Sequence, residues 1–187
     1  GRLVALGGIS ISMDGWMSVE VLERGAKAWR ELPPLSCNGR EHFCALAVEE
    51  SGSVEGQVCI IGGDDEYSNF SGEVHIVDLA TGDCTPQPGL DIRRSQFASA
   101  RLPDERIIAA GGWEDPHTEI SGSSPYADVW EPSRGAWRSL PSMGTPRLQH
   151  SGCMLTSVSR FAVFGGHGDG LEILGSCEAL VLDDGTE

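Results

Sequence analysis

Four short apolar runs, Leu3-Val-Ala-Leu6, Val58-Cys-Ile-Ile61, Ile107-Ile-Ala-Ala110 and Phe161-Ala-Val-Phe164, are each closed by a glycine doublet. The doublets are Gly7-Gly8, Gly62-Gly63, Gly111-Gly112 and Gly165-Gly166, spaced 55, 49 and 54 positions apart. Apolar runs of this length, closed by a breaker, predict buried strands. Their recurrence at a long, nearly constant spacing predicts a repeat architecture.

The polar and aromatic positions keep the same period. Fifteen to nineteen residues after each doublet stands an apolar residue followed by an acid, at Leu22-Glu23, Val77-Asp78, Trp130-Glu131 and Leu182-Asp183. Seven positions beyond the first three stand Trp29, Cys84 and Trp137, then a proline four further (Pro33, Pro88, Pro141) and Leu35, Leu90 or Met143 two beyond that. An arginine then precedes His or Gln by two or three positions: Arg40 and His42, Arg93 and Gln96, Arg147 and His150. The acids after the apolar positions begin turns that reach glycine within four residues, as in Glu131-Pro-Ser-Arg-Gly135.

This order of features resembles the kelch repeat over essentially the whole chain. The resemblance implies an all-β fold, a kelch-type β-propeller of about four repeats (approximately 1–35, 36–90, 91–143 and 144–187) with two complete blades and two partial ones, an arc of a larger ring. Strands in groups of three, four, four and three are expected, and no helix longer than two turns. The chain departs from the kelch pattern where tyrosine is usual, at Leu22, Val77, Trp130 and Leu182, and Cys84 takes a tryptophan position. Gly7, Gly8, Gly62, Gly63, Gly111, Gly112, Gly165 and Gly166 read as scaffold, since glycine permits positive φ and close backbone approach. Trp29 and Trp137 are expected to be buried over the seams between sheets.

Alternating strand direction places the loops between second and third strands on the same face as the inter-blade connections. Those loops (9–17, 64–72, 113–125 and 167–176) hold nine acids, Asp14, Asp64, Asp65, Glu66, Glu114, Asp115, Glu119, Asp169 and Glu172, and no Lys or Arg. The connections carry Arg40, Arg93, Arg94 and Arg147. In kelch propellers the strand after each connection is innermost, so the resemblance implies arginines near a central opening, with His42 and His150 beside them and acids around the rim. Such a site suits an acidic or carbonyl-rich segment of a partner protein, with Trp16, Trp113 and Phe70 as exposed aromatic anchors. The open alternative is that each arginine ties blades together by bonding backbone carbonyls.

Composition narrows the partner classes. The 187 residues carry 28 acids against 13 basic residues, a net charge of -15, and Lys27 is the single lysine, which disfavours nucleic acid and anionic membranes. No apolar run approaches the ~18 residues that span a bilayer. The six cysteines show no zinc-type spacing and read as reduced, mostly buried thiols of a cytoplasmic protein; Asn69-Phe70-Ser71 fits a glycosylation acceptor only for a secreted chain. Starting at Gly1 without methionine or a signal-like stretch, the chain is expected to lack its natural N-terminus.

Catalytic motifs are absent: there is no G-x-S-x-G, H-E-x-x-H or G-x-x-x-x-G-K. Gly166-His-Gly-Asp-Gly170 has no helix pattern after it, and Asp64-Asp-Glu66 and Glu114-Asp-Pro-His117 read as solvated acidic loops, so no metal and no cofactor are expected. A copper oxidase resembling galactose oxidase needs tyrosine and histidine ligands, whereas Tyr67 and Tyr126 are the only tyrosines and His75, His117 and His167 show no ligand-like clustering. The expected function is therefore a non-catalytic protein–protein interaction module, serving substrate recognition for an attached adaptor such as an F-box or BTB domain. The alternative is an enzyme or carbohydrate-binding propeller of the oxidase or epimerase kind.

Overall fold

The computed structural model describes residues 1–8, 17–48, 53–65, 67–114 and 122–181. They form two compact units, Gly1–Gly89 and Leu90–Glu187. In the first unit, β1 (Leu3–Leu6), β2 (Val19–Leu22) and β3 (Arg30–Leu32) make one antiparallel sheet; β4 (Cys44–Val48), β5 (Gln57–Ile61), β6 (Val74–Asp78) and β7 (Cys84–Gln87) make a second. The second unit opens with β8 (Arg94–Ser95), β9 (Ala98–Arg101), β10 (Ile107–Ala110), β11 (Trp113–Glu114), β12 (Gly122–Ser123), β13 (Ala127–Glu131) and β14 (Ala136–Leu140). It closes with β15 (Ser151–Leu155), β16 (Arg160–Phe164) and β17 (Cys177–Val181). Strands β9, β10, β13 and β14 form a four-stranded meander and β15 to β17 a three-stranded one. The only helix among the described residues is a 3-10 turn at Thr156–Val158, and none is long and apolar enough to cross a membrane.

Four of the five sheets are meanders of three, four, four and three strands, as the repeat predicts; the short strands β8, β11 and β12 form a fifth, three-stranded sheet that it does not. Three of the apolar runs, β5, β10 and β16, are middle strands flanked on both sides and are largely buried, β5 ending Val58-Cys59-Ile60-Ile61, all buried; the first run, β1, is an edge strand of alternating exposure. Their neighbours alternate, and the inward residues meet those of the next sheet. Val19, Val58, Ile60 and Val77, with Val4 and Leu6 against them, fill the first unit; Ala100, Ile108, Val129, Phe161 and Val163 fill the second.

Register explains the recurring spacings. The residue four positions before each doublet pairs with Leu22, Val77, Trp130 and Leu180 respectively. The fourth copy's apolar position is therefore Leu180, not Leu182, because pairing is counted across the strand from the doublet and not from the following acid. Leu182 and Asp183 lie outside the described residues. The seven-residue step is a hairpin rung: Val77 faces Cys84 and Trp130 faces Trp137.

The aromatic expectation holds only in part. Trp130 and Trp137 pack with ring centroids 5.9 Å apart at 52°, and Trp137 is half-buried. Trp29 is 45% exposed, correcting the expected burial. Continuing the β2–β3 register by one rung sets Leu22 opposite Trp29, so no second indole covers it. Replacing Trp137 by Ala should cost about 1–2 kcal/mol, the value of an aromatic pair plus partial burial rather than of a core indole. Urea midpoints check this, and a cost above about 3 kcal/mol would place the ring in the core.

The cysteines also differ from expectation. Cys37 and Cys84, 47 positions apart in sequence, are joined in a disulfide with Cα atoms 5.7 Å apart. Cys84 occupies the tryptophan position of the second repeat, so a covalent tether to the preceding connection stands where the third repeat stacks two indoles. Of the remaining cysteines, Cys59 is buried while Cys153 and Cys177 are exposed. Linear spacing carries no information on a pairing made by the fold.

Candidate binding face

Past the second, third and fourth doublets the chain runs to the end of its blade that carries the inter-blade connection. The second glycine makes this possible. Gly112 has φ +97°, and a Cβ there would lie 2.5 Å from Ser95 O; Gly63 and Gly166 approach Glu41 O and Leu148 O equally closely. Beyond it the backbone pairs with the residue following the repeat arginine, as Glu41↔Asp64, Ser95↔Trp113 and Leu148↔His167. The loop then folds back on the same rung through Phe70, Ser123 and Ile173. Each of these three blades therefore carries a small ladder on this face, which the sequence pattern does not reveal because its rungs are too short to show alternation. At the opposite end of the second blade the other two loops meet, Leu79 N–H donating to Gly56 O and Ser53 Oγ to Asp78 Oδ1.

Three of the four arginines are turned into their own blades. Arg147 is fully buried; its Nη1 donates to Gly165 O (2.9 Å) and Ser176 O (3.3 Å), and its Nη2 to Ser176 Oγ (3.2 Å) and Glu178 Oε1 (2.7 Å). Arg94, also 0% exposed, reaches Tyr126 O at 3.1 Å and Asp128 Oδ2 at 2.6 Å. Arg40 bonds Gly62 O, Glu73 O and the Glu73 carboxylate. Tyr126 O and Ser176 O also accept from the first glycine of the doublet, as Glu73 O does. The carboxylate stands two residues after that carbonyl in Asp128 and Glu178; in the second blade that position is His75, and Glu73 itself supplies the charge. Burial pulls Arg94 down from its ordinary pKa against the pull of Asp128 and Glu114. Burial alone would raise the Glu178 carboxyl, yet bonds from Arg147 and the Gly144 and Thr145 N–H groups hold it below the usual range.

The ladders also correct which residues correspond. Arg40, Arg94 and Arg147 are equivalent, so the second arginine of the set is Arg94, and Arg93 precedes it on the exposed connection. Two positions on, His42, Gln96 and Gln149 share a left-handed backbone with φ of 53°, 57° and 52°. One further, Phe43, Phe97 and His150 lie against the second glycines. His150 is thus a buried packing residue rather than a partner of His42, and its pKa falls to about 4 through burial and the neighbouring Arg147. His75, likewise buried, is lowered by burial and Arg40.

The exposed side chains at these blade ends include His42, Tyr67 and Asn69 in the first unit and Arg93, Gln149, Asp169, Leu171, Glu172 and Ile173 in the second, the last to 84%; Trp113 is half-buried. Phe70, Asp64 and Glu114 are buried, which removes them from the expected exposed rim. Trp16, Asp14, Glu66, Asp115, His117 and Glu119 lie outside the described residues. One cluster gathers ionisable groups: His42 Nδ1 is 3.1 Å from Asp64 Oδ1 and 3.9 Å from Glu41 Oε1. Burial raises the Glu41 carboxyl, with His42 opposing and Asp64 adding to the rise.

Comparison with known proteins gives two curated relatives and a solved fold. The chain is 30% identical over 155 residues to the F-box/kelch-repeat protein At1g80440 of Arabidopsis thaliana, covering 80% of this chain and 40% of that protein. It is 24% identical over 172 residues to the F-box/kelch-repeat protein SKIP20 of Arabidopsis thaliana, covering 89% and 36%. The chain therefore spans less than half the length of either relative. The solved structure of YjhT, a kelch-type propeller, superposes with a TM-score of 0.72 at 11% identity, over 90% of this chain and 50% of that one. No protein-family model matches the chain.

Proposed function

The chain belongs to the kelch-repeat propellers, and from that premise we propose that it is a non-catalytic protein-recognition module whose partner docks on the face of the inter-blade connections and second-to-third loops. The observation that carries this reading is the division of labour on that face. Buried arginines and short ladders fix the backbone, while large side chains stand exposed on the loops they hold, Tyr67 in the first unit and Leu171 and Ile173 in the second. Variable loops on a fixed frame are the usual place for recognition, and apolar or aromatic anchors dominate the energetics of such contacts. Arg40, Arg94 and Arg147 are engaged inside their blades, so the exposed side chains of the loops, and not these arginines, are the proposed contacts with the partner. The F-box part of both relatives' names supports substrate recognition for an attached adaptor as the setting. For the enzymatic alternative, His75 and His150 are packed inside their blades and offer no imidazole to a substrate.

Photo-crosslinking in the full-length protein tests the docking face. A photoreactive residue at Tyr67 or Ile173 should capture the partner, whereas one at Val54 or Arg134, on loops of the opposite end of their blades, should not. Capture from the latter positions alone would move the site to the other face.

A further inference from the structure

We propose that Glu41, His42 and Asp64 form a binding site for a divalent first-row transition metal such as Zn2+, on the loop face of the second blade. The three donor atoms lie within 4.8 Å of one another. A metal with bonds of about 2.0–2.2 Å separates its ligand atoms by roughly 3–4 Å, so the ligands need only small rotations to converge. The two carboxylates are carried on a rigid rung: Glu41 N–H donates to Asp64 O at 2.9 Å and Asp64 N–H to Glu41 O at 3.0 Å. Asp64 is buried and His42 exposed, so two anionic ligands sit at the floor and the open coordination positions face solvent.

The repeat supplies an independent argument. The same rung in the third blade is built from Ser95, Gln96 and Trp113, and in the fourth from Leu148, Gln149 and His167. The ladder therefore forms without Glu, His and Asp at these positions, and the second blade departs at all three together. Packing gives no reason to bring two carboxylates face to face on a partly desolvated rung, where like charges repel. A cation between them removes that repulsion. One imidazole with two carboxylates suits Zn2+, Mn2+ or Fe2+ better than Ca2+ or Mg2+, which favour all-oxygen shells. The site does not depend on the partner-recognition reading.

The test is calorimetric titration of the chelator-treated chain with Zn2+ and with Co2+, and of the variants H42Q and D64N. H42Q introduces the residue that the third and fourth blades carry in the same left-handed conformation, so it keeps the fold even where D64N does not. The expected result is one saturable site in the wild type, a loss of affinity of at least tenfold in H42Q, and a cobalt spectrum without thiolate-to-metal absorption. Absence of saturable binding, equal affinity in H42Q, or a thiolate spectrum overturns the site.

Discussion

Replacing Arg147 by Ala should destabilise the second unit by about 3–5 kcal/mol, the range found when one partner of a buried ion pair is removed. The guanidinium is fully buried and makes four hydrogen bonds, two of them to the carbonyls of Gly165 and Ser176. Glu178 keeps its bonds from Gly144 and Thr145 and is 28% exposed, which places the cost toward the lower end. In thermal melts the loss should read as a fall on the order of 10 °C. Arg147→Lys should recover only part of it, because one ammonium cannot reach both the carbonyl pair and the carboxylate. A melting temperature unchanged in Arg147→Ala would mean that the residue is spent on binding, as its place on a loop connection suggests from sequence alone.

Acid should weaken the second unit before its carboxylates titrate, and His150 should be the main cause. In the unfolded chain this imidazole has the ordinary value of 6.5, and in the fold about 4. The unfolded state therefore binds the proton first, so stability is full above about pH 6.5, falls as pH drops, and levels off below about 4, with a total near 3 kcal/mol. At pH 5 the loss should be about 2 kcal/mol. Glu178, held below the usual range, acts with the same sign in a lower window: its stabilisation is present above about pH 4.5 and is lost only further down. His150→Phe installs the residue of Phe43 and Phe97 at the same repeat position and should be less sensitive between pH 7 and 5 by about 2 kcal/mol. A slope from His75 should remain, since its pKa is lowered as well. Urea midpoints at the two pH values decide the matter, and equal slopes in wild type and variant would contradict it.

What the sequence makes legible is the backbone frame. Glycine doublets, apolar runs and the seven-residue step are set by register, which is periodic, so a one-dimensional pattern locates β5, β10 and β16 and the Trp130–Trp137 rung. Side-chain environments are set by neighbours distant in sequence, and there the reading fails. Trp29 and Trp137 look alike in sequence and differ because one faces Leu22 and the other an indole. Leu182-Asp183 imitates the repeat motif, but pairing from Phe161 selects Leu180. The sequence places the arginines on the connections, while their direction depends on carbonyls some 18 to 33 positions further on. One signal could have revealed it: Asp128 and Glu178 recur two residues before the apolar position, where an acid on an otherwise buried strand needs a cation. The meeting of Glu41, His42 and Asp64 leaves no such periodic trace, because it is a departure from the repeat.

The claim that recognition occurs on the loop face is tested most directly by calorimetry of the full-length protein with the partner captured by crosslinking. Ile173→Asp places a charge on the most exposed apolar side chain described at those blade ends, and Arg134→Asp reverses a charge on a hairpin at the opposite end of the third blade. Neither position is buried, so Ile173→Asp should melt with the wild type and Arg134→Asp, which gives up a surface ion pair with Glu131, should lose no more than about 1 kcal/mol. The account predicts at least tenfold weaker binding for Ile173→Asp, about 1.4 kcal/mol, and an unchanged affinity for Arg134→Asp. Full affinity in Ile173→Asp together with loss in Arg134→Asp would contradict it.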